Sequence, residues 1–323
     1  MNLFPSTVPS AEEIHLAARR IAPFIHHTPV FSSRSINKMF QGEILFKCEN
    51  VQKVGAFKAR SAINAIKQLP AETLKHGVCT HSSGNHAQAL SCAASMCNTK
   101  AFIVMPSNSS RIKVDAVREY GGEITFCEPT LAAREATLEE VARRTNAVEV
   151  HPYNNYAIIA GQATAALELI EDYPGIEVLL ATVGGGGLLS GTALATSYFS
   201  PAILVIAAEP EQADDACRSF QTKTFIPSIH PNTIADGLRT SLGTLTLPII
   251  LDHVHDIVTA SEKAIITAMR LLWERLKLIV EPSASVPLAA ILEKKVDING
   301  KRIGIILSGG NVDFDQLPWI THV

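Results

Sequence analysis

Four consecutive glycines, Gly184 to Gly187, could bind an anion through their backbone N–H groups. They follow the strand-like run 177–183 and precede a helix-like run of small residues. Unpaired N–H groups at a helix start and the positive end of its dipole favour phosphate. The spacing excludes a dinucleotide loop, because the last glycine of G-x-G-x-x-G would fall on Leu189. It also excludes a triphosphate loop, because Thr192 and not lysine follows Gly191. A tight turn alone would need fewer glycines, so the sequence predicts a phosphate site.

A lysine at the start of a predicted helix could react with a carbonyl group. Lys58 lies in the motif Gly55-Ala56-Phe57-Lys58-Ala59-Arg60, which opens the helical run Ser61–Leu69. The positive end of the helix dipole should lower the pKa of this lysine. A lysine with a lowered pKa is the type that forms imines. Taken alone, the motif also fits an ordinary exposed lysine.

Two further loops follow predicted strands and carry small polar residues. Ser82-Ser83-Gly84-Asn85-His86 could bind a carboxylate through backbone donors, with Ser83 able to carry a proton and Asn85 able to bond an oxygen. Ser308-Gly309-Gly310-Asn311 could place the Ser308 hydroxyl on a ring nitrogen. A simple helix cap and a glycine turn are the alternatives for these two loops. Ligands of α/β proteins bind at the carboxyl ends of strands, where all these loops are expected to lie.

The elements that must position these loops alternate along the chain. Continuous apolar strands separated by helices indicate parallel sheets covered on both faces, and their number favours two sheets over one. The capping box Ser10–Glu13 predicts a helix start near the N-terminus. The predicted strands are 44–47, 78–81, 101–105, 123–127, 178–183, 203–208, 256–259 and 303–307, and the clearest helices are 87–96, 111–120, 131–145, 156–172 and 262–276.

The composition excludes several classes of protein. The 323 residues are 47% hydrophobic and 18% charged, with a formal net charge of −3, so a nucleic-acid or membrane-surface partner is not indicated. The sequence shows no signal-peptide pattern and no apolar run long enough to span a bilayer. Its six cysteines lack the spacing of a metal site or a disulfide framework. These features predict a cytoplasmic enzyme with reduced cysteines.

Four motifs together resemble a known family. In order and spacing, Gly55–Arg60, Ser82–His86, Gly184–Leu188 and Ser308–Asn311 are similar to those of the serine/threonine dehydratases and serine racemases, which are fold-type II pyridoxal-phosphate (PLP) enzymes. The resemblance runs from Thr28 to Asn311. It implies a tryptophan synthase β-like α/β fold of two domains, each with a mostly parallel open sheet flanked by helices. The expected domains are a large cofactor-binding one (1–76 and 153–323) and a small substrate-loop one (77–152).

The resemblance also implies roles for single residues. Lys58 would bond covalently to the cofactor aldehyde, and Ser83 would act on the opposite face of the cofactor. The other implied cofactor contacts are Phe57 with the ring, Asn85 with the ring hydroxyl, Ser308 with the pyridine nitrogen, and Gly184, Gly185, Gly186, Gly187 and Leu188 with the phosphate. The substrate carboxylate would be bound by Ser82, Ser83, Gly84, Asn85 and His86.

The implied reaction is elimination of water from a β-hydroxy amino acid, with L-serine, L-threonine and threo-3-hydroxyaspartate as candidates. A neutral serine at the ring nitrogen favours prompt loss of a β-hydroxyl over transamination. Serine racemase is the alternative, alone or together with dehydration, because racemases of the family have serine at the position of Ser83 where many dehydratases have alanine. A β-replacement enzyme is disfavoured by the motif Phe57–Arg60, and a non-catalytic cofactor-binding protein by the presence of Lys58.

The family further implies ligands outside the reaction centre. Mg or Ca would be bound by Glu209, Asp215 and the carbonyl of Ala213, and ATP as an effector by Ser32, Ser33 and Lys53. A homodimer is expected by the same resemblance. The chain departs from the family at Ser61 and Ser285, where relatives usually have glycine or another small residue. The C-terminal amino-acid-sensing domain of biosynthetic threonine dehydratases is not expected after Asn311.

Overall fold

The computed structural model describes residues 3–320, in which ten strands form two sheets. The strands are β1 (Val30–Phe31), β2 (Glu43–Cys48), β3 (Val78–His81), β4 (Ala101–Pro106), β5 (Gly122–Cys127), β6 (Val148–Glu149), β7 (Val178–Thr182), β8 (Leu204–Pro210), β9 (Asp256–Ala260) and β10 (Arg302–Leu307). Every predicted strand is present, with ends that agree within two residues. The two-residue strands β1 and β6 were not predicted, because so short a segment has no period to detect.

The larger sheet has the strand order β1-β2-β10-β7-β8-β9. Only β1 runs antiparallel to its neighbour; the other strands are parallel. Strand β10 lies in the middle, with Ile303 opposite Ile44 on one side and Val178 on the other. Its residues from Ile303 to Leu307 are fully buried, as expected for a parallel strand covered on both faces.

The smaller sheet has the order β5-β4-β3-β6, and all its strands are parallel. Its strands come from one continuous stretch, residues 78–149, whereas those of the larger sheet come from both sides of this stretch. The strands of the smaller sheet therefore all lie within the predicted small domain, residues 77–152, and those of the larger sheet all lie outside it. Whether 77–152 forms a separate domain stays a prediction.

Thirteen α-helices within residues 3–320 surround the sheets. They are α1 (Ala11–Ile21), α2 (Arg34–Phe40), α3 (Lys58–Ile66), α4 (Ala71–Leu74), α5 (Asn85–Met96), α6 (Arg111–Glu119), α7 (Leu131–Thr145), α8 (Tyr156–Asp172), α9 (Gly187–Phe199), α10 (Asp215–Thr222), α11 (Thr246–His253), α12 (Glu262–Leu276) and α13 (Pro282–Leu292). Short 3₁₀ turns include Glu211–Ala213 and Asp236–Leu238. None of the helices in this part of the chain is long and apolar enough to cross a membrane.

Two helix starts bear on the predictions. The capping box at the start of α1 is confirmed, because Ser10 Oγ accepts from Glu13 N and the Glu13 carboxylate accepts from Ser10 N. Helix α3 begins at Lys58 and not at Ser61, so the predicted helix was shifted by three residues. The lysine therefore occupies the first position of the helix, where the dipole acts on it most strongly.

Candidate active site

Three of the four predicted motifs contact one another directly. The N–H of Phe57 donates to the carbonyl of Ser308 at 3.0 Å, and Asn311 Nδ2 donates to Asn85 Oδ1 at 2.9 Å. The fourth motif, the glycine loop, joins them through residues 152–153. The carbonyl of Pro152 accepts a hydrogen bond from Lys58 Nζ at 2.7 Å, and the ring of the next residue, Tyr153, packs on the glycine loop. Loops from both sheets thus meet in one place, as the strand-end argument predicts.

Lys58 is held in an environment that disfavours its charge. Its hydrogen bond goes to the neutral carbonyl of Pro152, and the only favourable contact of the charge among the described aromatic rings is with Phe57, whose centroid lies 4.9 Å from Nζ. Among the described residues it forms no ion pair with a carboxylate. Burial lowers the pKa of Lys58 from 10.5 to about 7. Part of the Lys58 population is therefore neutral at neutral pH, and the neutral amine can act as nucleophile or base.

The glycine loop is packed tightly on one side and keeps free donors. A Cβ on Gly185 would lie 2.2 Å from the Tyr153 ring, and one on Gly187 would lie 2.5 Å from Gln162 Oε1. Gly186 adopts φ 86°, a conformation that favours glycine. Within residues 3–320 the N–H groups of Gly184, Gly185 and Gly186 have no hydrogen-bond acceptor. Buried donors without acceptors at the start of α9 fit an anion such as a cofactor phosphate.

Ser308 and Asn85, the two residues predicted to contact the ring of a cofactor, both lie where the predicted motifs meet. Ser308 is buried at the end of β10, and its Oγ bonds to no other described residue. Asn85 Nδ2 donates to Glu281 Oε1 at 2.8 Å. Burial raises the pKa of the Glu281 carboxyl to about 7, and its Oε2 has no partner among the described residues. Their contacts to a cofactor stay predictions.

The Ser82–His86 loop leads into α5 without a side-chain cap. The N-cap residue is Gly84, so the alternative interpretation of Ser83 or Asn85 as a simple cap is wrong. Ser82 Oγ accepts from Gly84 N at 3.3 Å, while Ser83 is partly exposed and its hydroxyl has no described partner. His86 is buried, and its Nε2 lies 2.9 Å from the carbonyl of Val150. Burial lowers the pKa of His86 to about 3, so the imidazole is neutral.

Lys113 is a site residue that the sequence analysis missed. Its buried Nζ forms an ion pair with Asp236, the first residue of the 3₁₀ turn Asp236–Leu238. A Cβ on Gly84 would lie 3.3 Å from this Nζ, so the lysine packs directly against the substrate loop. Burial opposes the charge of Lys113, but the Asp236 and Glu281 carboxylates raise its pKa overall. Lys113 thus links the helix after β4 to a turn next to the larger sheet.

Tyr153 was missed for a different reason. It follows β6, which is too short to be predicted, so its loop was not recognised as a strand end. Its ring packs on Gly185 and stands edge-on to His151, with centroids 4.6 Å apart. Its hydroxyl lies 3.0 Å from Thr240 Oγ1. Tyr153 therefore forms a wall between the glycine loop and the Asp236–Thr240 segment.

The predicted metal ligands lie together at the end of β8. Glu209 accepts from the N–H groups of Ala216 and Cys217 at 3.1 and 2.9 Å. Burial raises the pKa of Glu209 to about 9 and that of Asp215 to about 6. Neither oxygen of the buried Asp215 makes a hydrogen bond of ordinary geometry in the described structure. Two carboxylates are therefore buried here, but no group of three or more His, Cys, Asp or Glu side chains within residues 3–320 is placed to hold a metal ion, so the metal site stays a prediction.

Comparison with known proteins identifies the family. The sequence model of the family described as pyridoxal-phosphate dependent enzymes matches residues 21–309. The β-hydroxyaspartate dehydratase of Paracoccus denitrificans is 47% identical over 312 residues, which is 97% of this chain and 99% of that protein. The serine racemase of Arabidopsis thaliana is 47% identical, with 97% of this chain and 96% of that protein covered.

Solved structures agree. The structure of maize serine racemase superimposes with a TM-score of 0.93 at 44% identity and 96% coverage of both chains. The structure of a threonine deaminase from T.th. gives a TM-score of 0.89 at 41% identity, covering 95% of this chain and 99% of that one. Both are fold-type II enzymes, which confirms the predicted fold. The chain belongs to the pyridoxal-phosphate dependent enzymes and, within them, to the family of serine/threonine dehydratases and serine racemases.

Proposed function

We propose that this chain is a PLP-dependent dehydratase that removes water from a β-hydroxy amino acid and yields a 2-oxo acid and ammonia. The observation that carries the proposal is the partly neutral amine of Lys58. It bonds to the carbonyl of Pro152, and the next residue, Tyr153, packs on the glycine loop. The loop supplies free N–H groups for a cofactor phosphate. Relatives named as a β-hydroxyaspartate dehydratase and a threonine deaminase support elimination.

Each residue has a part in this proposal. When bound, PLP supplies the electron sink for a negative charge at the substrate Cα. Lys58 removes the α-proton, and its pKa of about 7 makes it an effective base at neutral pH. The Ser82–His86 loop would orient the substrate carboxylate, and the Ser308 hydroxyl would be the hydrogen-bond partner of the ring nitrogen when PLP is bound. Because a neutral hydroxyl holds that nitrogen less firmly protonated than a carboxylate would, loss of the β-hydroxyl is favoured over transamination.

A direct test is a turnover assay with L-serine, L-threonine and threo-3-hydroxyaspartate, read as 2-oxo acid formation with PLP bound. We expect at least one substrate to react. Lys58→Ala should abolish turnover while the protein still binds PLP non-covalently. If all three substrates were inert with PLP bound through Lys58, the dehydratase proposal would fail.

Racemisation is the second candidate function, and Ser83 is the observation that favours it. Its hydroxyl is partly exposed and bonds to no described residue, so it is free to donate or accept a proton. Several relatives are named as serine racemases. Chiral analysis of L-serine reactions distinguishes the two functions: racemisation gives D-serine in the wild type and none in Ser83→Ala. Equal 2-oxo acid formation in Ser83→Ala would show that dehydration does not need this hydroxyl.

We also propose a Mg or Ca site formed by Glu209, Asp215 and the Ala213 carbonyl. Its support is the pair of buried carboxylates, which need either protons or a cation. A chelator should lower the melting temperature of the wild type, and added Mg or Ca should restore it. In Asp215→Asn the chelator should have a much smaller effect. An unchanged melting temperature in the wild type would remove the site from the proposal.

The remaining proposals rest on the family resemblance. They are ATP binding at Ser32, Ser33 and Lys53, a homodimer, a cytoplasmic location and the division into domains at 77 and 152. Ser32 Oγ accepts from Asn37 Nδ2 at 3.0 Å, so this hydroxyl already has a protein partner. Titration with ATP, compared between wild type and Lys53→Ala, tests the effector site. Sedimentation analysis tests the dimer.

A further inference from the structure

The carbonyl of Pro152 faces two side-chain donors. Lys58 Nζ donates to it at 2.7 Å, and Gln162 Nε2 lies 3.5 Å from it, at the long limit of a hydrogen bond. Gln162 is on α8 and is completely buried. No third donor within residues 3–320 bonds to this carbonyl. If one of the two side chains left, the other would be the sole partner available from the described protein.

Ser61 holds Gln162 in this position. Its Oγ donates to the carbonyl of Lys58 at 3.0 Å and accepts from Gln162 Nε2 at 3.2 Å. Because both neighbours of the amide act as acceptors, its nitrogen end must face them. Glycine, which relatives usually have in place of Ser61, could not make this contact. The residue that departs from the family pattern thus takes part in the network around Lys58.

The packing of the helices leaves this arrangement little freedom. A Cβ on Gly161 would lie 2.6 Å from Ser61 Cα, so α3 and α8 approach each other closely here. The other end of the Gln162 amide, Oε1, points toward Gly187 and has no partner among the described residues. The amide therefore lies between the lysine and the loop expected to hold the cofactor phosphate.

We infer that Gln162 is a positioning residue that takes over the Pro152 carbonyl when Lys58 bonds to the cofactor. This inference rests on the proposed function, in which Lys58 is the cofactor lysine. In that bond formation the neutral amine adds to the aldehyde, a C=N bond replaces C=O, and one water is released. The proton that the ammonium form must first lose goes to solvent.

The attached lysine no longer has an ammonium to donate to Pro152. The partly buried carbonyl of Pro152 would then lose its donor, which would disfavour the attached state by several-fold to about a hundredfold. Gln162 Nε2 needs to move only a few tenths of an ångström to form a normal hydrogen bond to it. Ser61 keeps the amide close enough for this exchange. This exchange of hydrogen-bond donors lowers the free energy of the state in which Lys58 is attached, relative to the state in which it is free.

A double-mutant cycle on PLP binding tests the inference without measuring turnover. The variants are Gln162→Leu, which is similar in size but has no donor, Lys58→Ala, and the double variant. Affinity for PLP is measured by absorbance and fluorescence titration. We expect Gln162→Leu to weaken PLP binding by about five- to a hundredfold when Lys58 is present, and by less than about twofold in the Lys58→Ala background.

Equal losses in both backgrounds would overturn the inference, because Gln162 would then act through packing of the glycine loop alone. If Gln162→Leu does not fold, the same cycle with Ser61→Ala replaces it, with a smaller loss expected only when Lys58 is present. Inorganic phosphate, as a second probe, should bind wild type and Gln162→Leu alike. If the absorbance of bound PLP did not depend on Lys58, the proposed function itself would fail.

Discussion

The glycine loop after β7 and the Ser82–His86 loop after β3 both stand at the ends of parallel strands, but they are held differently. All four glycines are buried, and an added Cβ would come within 3.0 Å of a neighbouring atom at each of them. In the other loop Ser82 and Ser83 are partly exposed, and its neighbours are long polar side chains. Close packing fixes the first loop, whereas hydrogen bonds and an ion pair fix the second.

The polar contacts of the second loop reach across to the other sheet. Asn85 donates a hydrogen bond to Glu281 at the start of α13. Lys113, which packs against Gly84, forms an ion pair with Asp236. Such polar contacts can break and re-form with little change in packed surface. The close packing around the glycines cannot change without moving the loop or its neighbours. This difference suits a cofactor that stays bound and a substrate that must enter and leave.

The largest effect should come from adding one methyl group to the packed loop. In Gly185→Ala the new Cβ would lie 2.2 Å from the Tyr153 ring, so the loop or the ring must move. We expect PLP binding to weaken roughly hundredfold, equivalent to about 3 kcal/mol, by fluorescence titration. Gly300→Ala is the control for backbone strain alone, because Gly300 has φ 71° but no atom lies within 4 Å of its new methyl; PLP affinity should be unchanged. Normal PLP affinity in Gly185→Ala would contradict the packing argument.

The lysine between the two loops should make cofactor attachment depend on pH. Attachment needs the neutral amine, and burial lowers the pKa of Lys58 from 10.5 to about 7. The neutral fraction therefore falls as pH drops through 7. The rate of attachment, followed by stopped-flow absorbance, should fall about tenfold for each pH unit below 7 and level off above it. A transition near 10 would mean that Lys58 is not desolvated.

The smallest effect should come from breaking the polar contact of the second loop. Lys113→Met removes the partner of Asp236, a carboxylate exposed enough (40% of its side chain) to be rehydrated. We expect the substrate KM to rise about fivefold, equivalent to about 1 kcal/mol, with PLP affinity unchanged. Lys100→Met, which breaks an exposed pair with Glu123, should leave both constants unchanged. A loss of PLP affinity in Lys113→Met would erase the distinction between the loops.

Sequence reasoning predicted the local structure of the candidate site where one short segment carries its own strand, loop and helix. The glycine loop has its strand and helix on either side, and Lys58 opens its own helix. Such features depend on local spacing and on the N–H groups that a helix start exposes. The fold followed in the same way, because long buried strands alternate with helices.

The residues that were missed owe their place to tertiary packing. Lys113 meets Asp236 across 123 positions of sequence, and Gln162 meets Ser61 across 101. No periodicity or spacing within one sequence marks such pairs. Glu281 was missed as well, because its bond to Asn85 depends on how β3 and α13 are placed relative to each other. Single-sequence patterns describe elements, whereas these contacts arise between elements.

The central position of β10 has a consequence for synthesis of the protein. Because β10 lies between β2 and β7, the larger sheet stays divided until residue 307 has left the ribosome. The strands of the smaller sheet are complete once residue 149 has emerged, and each pairs only with strands of the same stretch 78–149. Ser308, the residue predicted to contact the pyridine nitrogen, follows β10 directly and is therefore made after every other predicted cofactor contact. Until then the nascent chain can form its substrate loop but has no finished place for PLP.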